Sequence, residues 1–192
     1  MDFFKYRNKI QPEKGRLLIS EPFLPDPNFE RTVVLLCEHN EEGSFGFVLN
    51  KPSILKVGEV MEDITDLDNL VYVGGPVQQD TLHFIHRNTQ LENAVEIVEQ
   101  IYWGGAFDNL MLLCQTRQIT GKDIRFFLGY SGWGPGQLDE EVAASAWLTG
   151  DIDIVDNDID GLIQRGMHEV LQQFIDENAE LDRAIARQFR FP

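Results

Sequence analysis

The chain has 192 residues, 43% of them hydrophobic, with 2 cysteines and a formal charge of −16 from 32 acidic and 16 basic side chains. This length fits one domain able to bury about two-thirds of its unfolded surface. The acidic excess argues against direct nucleic-acid or anionic-membrane binding, which needs clustered Lys and Arg to neutralise phosphate.

Cys37 and Cys114 have neither the CxxC spacing of a zinc site nor the density of a disulfide scaffold. The opening MDFFKYRNKIQPEKG lacks the apolar core of a signal peptide. No run approaches the roughly 18 apolar residues of a membrane span. These features predict a cytoplasmic location, with no membrane and no direct nucleic-acid partner. Residues 1–13 are expected to form a flexible N-terminal arm, and 14–192 a single compact domain.

In chain order, short apolar runs bounded by turn formers predict strands at Arg16–Ile19, Thr32–Glu38, Ser44–Leu49, Leu70–Val73, Leu82–His86 and Ile124–Tyr130. His39-Asn40-Glu41-Glu42-Gly43 reads as the turn of an antiparallel hairpin. Phe107, Leu110, Met111 and Cys114 fall on one helical stripe, which buries Cys114 and makes its thiol inert. A second helix starts near Gln137, with Leu138, Val142 and Ala146 inward and Asp139, Glu140 and Glu141 in its first turn. A third is expected from Asp160 to Asp176, and a short one from Leu181 to Phe189. Strands early and helices late predict an α+β fold with a mixed, largely antiparallel sheet.

Several segments approach a chemical motif and then depart from it. Gly129, Gly132, Gly134 and Gly136 form a glycine-rich turn between a strand and a helix, the setting in which phosphates are bound. It has no following Lys-Ser/Thr, its spacing is GxGxG, and three acids stand where phosphate would sit. Gly129-Tyr130-Ser131-Gly132-Trp133 resembles a nucleophile elbow around Ser131, but Trp133 fills the position that needs a small residue. Asp156 to Gly161 imitates the start of a calcium loop, while Met167 stands in place of the bidentate Glu.

Cys37 and His39 are two apart on a strand, so they are expected on one face, opposite Glu38. His83 and His86 would lie on opposite faces. That leaves a four-ligand metal cluster geometrically poor. No cofactor is called for.

An ordered set of motifs resembles the YqgE/AlgH family of bacterial proteins. Its first half comprises Gly15-Arg16-Leu17-Leu18-Ile19-Ser20, Asp26 to Phe29, Cys37-Glu38-His39-Asn40, Gly43, Gly46 and Leu49-Asn50-Lys51-Pro52. Gly74-Gly75-Pro76-Val77, His86, Gly129 to Trp133, Gly136-Gln137-Leu138, Glu141 and Trp147 follow in order. Tyr102-Trp103-Gly104-Gly105 and Arg125-Phe126-Phe127 look like its Bacteroidetes branch. The resemblance covers about Gly15 to Trp147 and weakens beyond. It implies an α+β protein whose mixed sheet curls toward a barrel flanked by helices. It brings no established activity and no catalytic residues, and the AlgH name comes from a proposed transcriptional-regulator role in alginate production.

The expectation is therefore a non-enzymatic regulatory or binding protein, acting indirectly through a protein partner or small ligand. Its candidate contacts are His39, Asn40, Asn50, Gly74, Gly75, Pro76, His86, Ser131, Trp133, Gly136 and Gln137, at predicted strand ends where recognition loops sit. The alternative is a hydrolytic or redox enzyme using Cys37 or Ser131 with His39 or His86. Of the negative charge, 13 carboxylates against one arginine lie between Asp139 and Asp182, an acidic surface suited to a basic protein partner.

Overall fold

A computed structural model describes residues 10–21, 24–64, 67–151, 159–161, 163–165, 168 and 172. Their strands are β1 (Leu17–Ser20), β2 (Val33–Asn40), β3 (Gly43–Val48), β4 (Pro52–Lys56), β5 (Leu70–Val73), β6 (Val77–His86), β7 (Val95–Val98), β8 (Ile101–Trp103), β9 (Ile124–Trp133) and β10 (Trp147–Gly150). Helices α1 (Val57–Val60), α2 (Phe107–Gln115) and α3 (Gln137–Ala143) interrupt them. The fold is α+β.

The ten strands form one sheet in the order β10-β1-β2-β3-β9-β6-β8-β7, with β5 on β9 and β4 on β5. Only β5 and β9 run parallel; the other pairs are antiparallel. Among the described residues no pairing joins β10 to β7, so the sheet is open and no barrel is closed.

β9 organises the molecule. Its first half is flanked by β6 and by β5, and on its second half β3 takes over the edge that β5 leaves. Gly74 sits in that fork. Its N–H donates to the Leu128 carbonyl, and its own carbonyl accepts from Val48 N–H and the Ser131 hydroxyl.

Alternation along the strands divides the core. Leu17, Ile19, Val33, Leu35 and Phe127 face one cluster, joined by Ile159 and Ile163, while Leu18, Val34, Leu36 and Val48 face another beneath α3. Being covered on both faces explains why β1 and β2 read as unbroken apolar runs. A third cluster places Phe126, Val71 and Ile124 against Leu110, Leu113 and Cys114 of α2, and Cys114 is buried as its stripe predicts.

The differences from the sequence reading have local causes. Asn40 pairs with Gly43, so the hairpin loop is only Glu41-Glu42, and His39 and Asn40 belong to the strand. β9 runs on through Trp133, which makes Gly129 and Gly132 strand residues rather than turn residues; Gly129 absorbs the irregularity at a φ of 66°. β6 begins at Val77, and its pairing with β9 is irregular between Val77 and Leu82. α3 ends at Ala143, short of Ala146, because Ser145 at a φ of 65° turns the chain into β10.

Ile159 and the described residues of the expected third helix, 160–161, 163–165, 168 and 172, are helical. The rest of that helix, the Leu181–Phe189 segment, residues 1–9 and the calcium-like Asp156–Asp158 lie outside the described residues. Asp160, which would have been a calcium ligand, instead accepts from Arg125 Nε at 3.0 Å and Nη2 at 2.5 Å. At the start of the domain, Ile10 and Gln11 are tied in by hydrogen bonds from Thr149 and Arg16.

Candidate functional site

A β-bulge decides which side chains of β2 meet. Leu36 pairs with Gly46 and Glu38 with Phe45, so Cys37 is the extra residue and the face alternation slips by one. Cys37 stays in the core beside Leu35. Glu38 now shares its side with Phe45, whereas His39 pairs with Ser44 on the α3 side, its Nδ1 2.7 Å from Ser44 Oγ and its Nε2 3.7 Å from Asp139. The expectation of Cys37 and His39 on one face is thus overturned.

None of the nucleophile–base pairs considered from the sequence is assembled. The Cys37 thiol points to the Leu35 carbonyl at 3.6 Å, and burial pushes its pKa far up. Native Cys37 is therefore expected to resist iodoacetamide at pH 8 and to react only after unfolding, which mass spectrometry of the alkylated chain checks; prompt native labelling would show a thiolate that this packing excludes. Ser131 is fully buried, and its hydroxyl donates to Gly74 O at 3.1 Å. His86 is equally buried, with Nε2 2.9 Å from Gly104 O and Nδ1 accepting from Asn88 N–H at 3.2 Å. Burial lowers its pKa, and the two backbone partners suit one neutral tautomer.

Other candidates hold the sheet together. Asn50 accepts from Val33 N–H at 2.9 Å and donates to Arg31 O at 2.8 Å, fixing the start of β2. Gly74 and Gly75 are buried where the chain crosses β9, and Pro76 is half-buried beside them. Trp133 and Trp147 pack edge to face and both donate to Glu141 Oε2, at 2.9 and 2.8 Å. Gln137 completes this lattice, donating to Glu141 Oε1 and accepting from Gly134 N–H. Gly136, at a φ of 71°, supplies the bend before α3.

A cleft of about 480 Å³ opens where the β2–β3 hairpin meets β6, β8 and β9. Half-buried Phe45, Trp103 and Tyr130 line it; Phe45 meets Trp103 at 4.8 Å and Tyr130 at 6.1 Å between ring centroids, both steeply inclined. His83 packs between Phe47 and Tyr130 at the base. Its Nε2 is buried without a hydrogen-bond partner among the described residues, and burial lowers its pKa. Glu38 and Glu42 contribute the lining carboxylates, and Asn40 donates to Glu38 Oε1 at 2.6 Å.

Of the sequence candidates, Asn40 and Trp133 line this cleft. Phe45, Trp103, Tyr130, Glu38 and His83 were not among them. Two carried a signal, since Trp103 and Tyr130 lie inside the Tyr102-Trp103-Gly104-Gly105 and Gly129-Tyr130-Ser131 motifs. Among the described residues no group of three metal-ligating side chains converges.

A family model described as DUF179, AlgH-like, matches residues 17–174. The chain belongs to the AlgH-like family. The match continues past Trp147, where the resemblance in the sequence fades. A UPF0301 protein of Chlorobium limicola is 48% identical over 145 residues, covering 75% of this chain and 76% of that relative. One from Cytophaga hutchinsonii is 46% identical, covering 74% and 80%. In structure, AlgH of Pseudomonas aeruginosa aligns with a TM-score of 0.62 at 34% identity, covering 73% of this chain and 77% of that one. A Corynebacterium diphtheriae protein shares the fold with a TM-score of 0.66 at 23% identity, covering 78% and 83%.

Proposed function

We propose that this AlgH-like chain is a non-catalytic binding protein that recognises a small ligand or a protruding side chain of a partner in the Phe45–Trp103–Tyr130 cleft. The observation that carries this reading is the contrast between two sets of residues. Ser131, His86 and Cys37 spend their polar atoms on backbone partners inside the core. Half-buried aromatics and two carboxylates, in contrast, line an open cavity of ligand size. Regulation, in this reading, is indirect, with occupancy of the cleft changing what the protein associates with.

A reducing cytoplasm suits two buried cysteines that form no disulfide, and no described helix is long and apolar enough to cross a membrane. A thermal-shift panel of small metabolites and short peptides tests the reading. At least one class is expected to stabilise the wild type, and Trp103→Ala and Tyr130→Ala, shown folded by circular dichroism, are expected to lose that shift. Ligands whose shift survives both substitutions would place binding elsewhere, and turnover abolished by Ser131→Ala or Cys37→Ala would make the protein an enzyme.

A further inference from the structure

We infer that the cleft selects an organic ammonium group, either a free quaternary or alkylated amine or the ammonium end of a lysine side chain. This rests on the binding reading above and adds the charge and class of the ligand.

Three features of the cleft converge on a cation. Phe45, Trp103 and Tyr130 contribute half-buried rings, and the negative face of an aromatic ring attracts an ammonium, most strongly for Trp. Each ring is held by its neighbours, Phe45 touching both of the others, so little side-chain freedom is lost on binding. Among the described residues the charges in the lining all have one sign. Glu38 and Glu42 stand there with no described Lys or Arg, so an anion would meet repulsion and a neutral apolar group would leave both carboxylates unused.

Glu38 is also aimed. Asn40 holds its Oε1 at 2.6 Å, while Oε2 has no hydrogen bond among the described residues. The bulge at Cys37 is what turns this carboxylate toward Phe45 and away from α3. His83, the histidine in the lining, has its pKa lowered by burial, which favours the uncharged ring and adds no positive charge to compete. The inner end of the cleft is therefore aromatic and uncharged, and the two carboxylates can meet an ammonium whose alkyl groups pack on the rings.

The test is calorimetric titration of the full chain with choline and with its neutral isostere 3,3-dimethyl-1-butanol, in low salt. A peptide carrying one trimethyllysine is titrated alongside. Choline is expected to bind at least about tenfold more tightly than the isostere, the factor expected for a ring-bound cation. Glu38→Gln, which keeps the contact to Asn40, is expected to weaken choline severalfold and leave the isostere unchanged. Trp103→Ala is expected to abolish both.

Tighter binding of the trimethyllysine peptide than of choline would assign the ammonium to a partner's side chain; the reverse order would assign it to a free amine. Equal binding of choline and the isostere, or no effect of Glu38→Gln, would overturn the cation assignment while the cleft remained a binding site. Absence of binding by all three probes would also overturn it, and the broader panel would then judge the binding reading by itself.

Discussion

Glu141→Ala is expected to destabilise the fold by about 3 kcal/mol, because it orphans two indole N–H groups at once. Trp133 and Trp147 come from different strands, β9 and β10, and both donate to the same carboxylate oxygen. The two tryptophans are 5% and 1% exposed, so water cannot replace the lost acceptor without opening the cluster with Leu138 and Val142. Glu141→Gln is the informative partner. Its amide oxygen can still accept from both indoles, but its NH2 then faces the Gln137 amide that now donates to Oε1. Urea unfolding should therefore rank wild type above Gln above Ala. If Ala and Gln unfold at the same midpoint, the loss comes from charge and not from the shared acceptor.

This lattice shows what could be read from the sequence and what could not. Trp133, Gln137, Glu141 and Trp147 were all visible as residues of a recurring pattern, and a polar Trp133 at a strand end resembled a recognition site. Only the fold shows that α3 returns the Glu141 carboxylate to strands on either side of β1–β3. The same holds for His86 and Ser131, whose polar atoms point to backbone carbonyls of segments distant in the chain, Gly104 and Gly74.

Strands with both faces covered were legible, since Leu17–Ile19 and Val33–Leu36 carry apolar side chains toward two different clusters. β4, β7, β8 and β10 were not: β8 has only three residues, and the other three, no shorter than the legible β1 and β5, have their apolar runs cut by polar residues. Glu96 splits the apolar run of β7, and Ser53 and Lys56 leave β4 only Ile54-Leu55 between them. The cleft was hidden for a further reason. A single bulged residue, Cys37, reverses the face on which Glu38 lies, and no periodicity in the sequence marks a bulge.

Gly75→Ala is expected to cost at least about 3 kcal/mol and to dismantle the cleft along with the fold. Gly75 has a φ of 156°, and a Cβ there would fall inside contact distance of the Tyr130 carbonyl carbon and oxygen and the Ser131 nitrogen. All three are backbone atoms of β9, so no rotamer change relieves the overlap. β9 itself cannot step aside, because Ser131 is in register with Gly46 of β3 and Tyr130 with Val77 of β6. Gly136→Ala is the matched control: its φ of 71° is also glycine-favoured, but a Cβ there meets nothing within 4 Å, so only conformational strain of about 1 kcal/mol is incurred. Urea midpoints followed by tryptophan fluorescence should separate the two variants by 2 kcal/mol or more, roughly. The choline titration extends the comparison, since Tyr130 is both the residue that Gly75 crowds and a wall of the cleft. Equal midpoints for the two variants would show that β9 yields at Tyr130, and with it that the position of that ring, on which cation selection depends, is not fixed by the crossing.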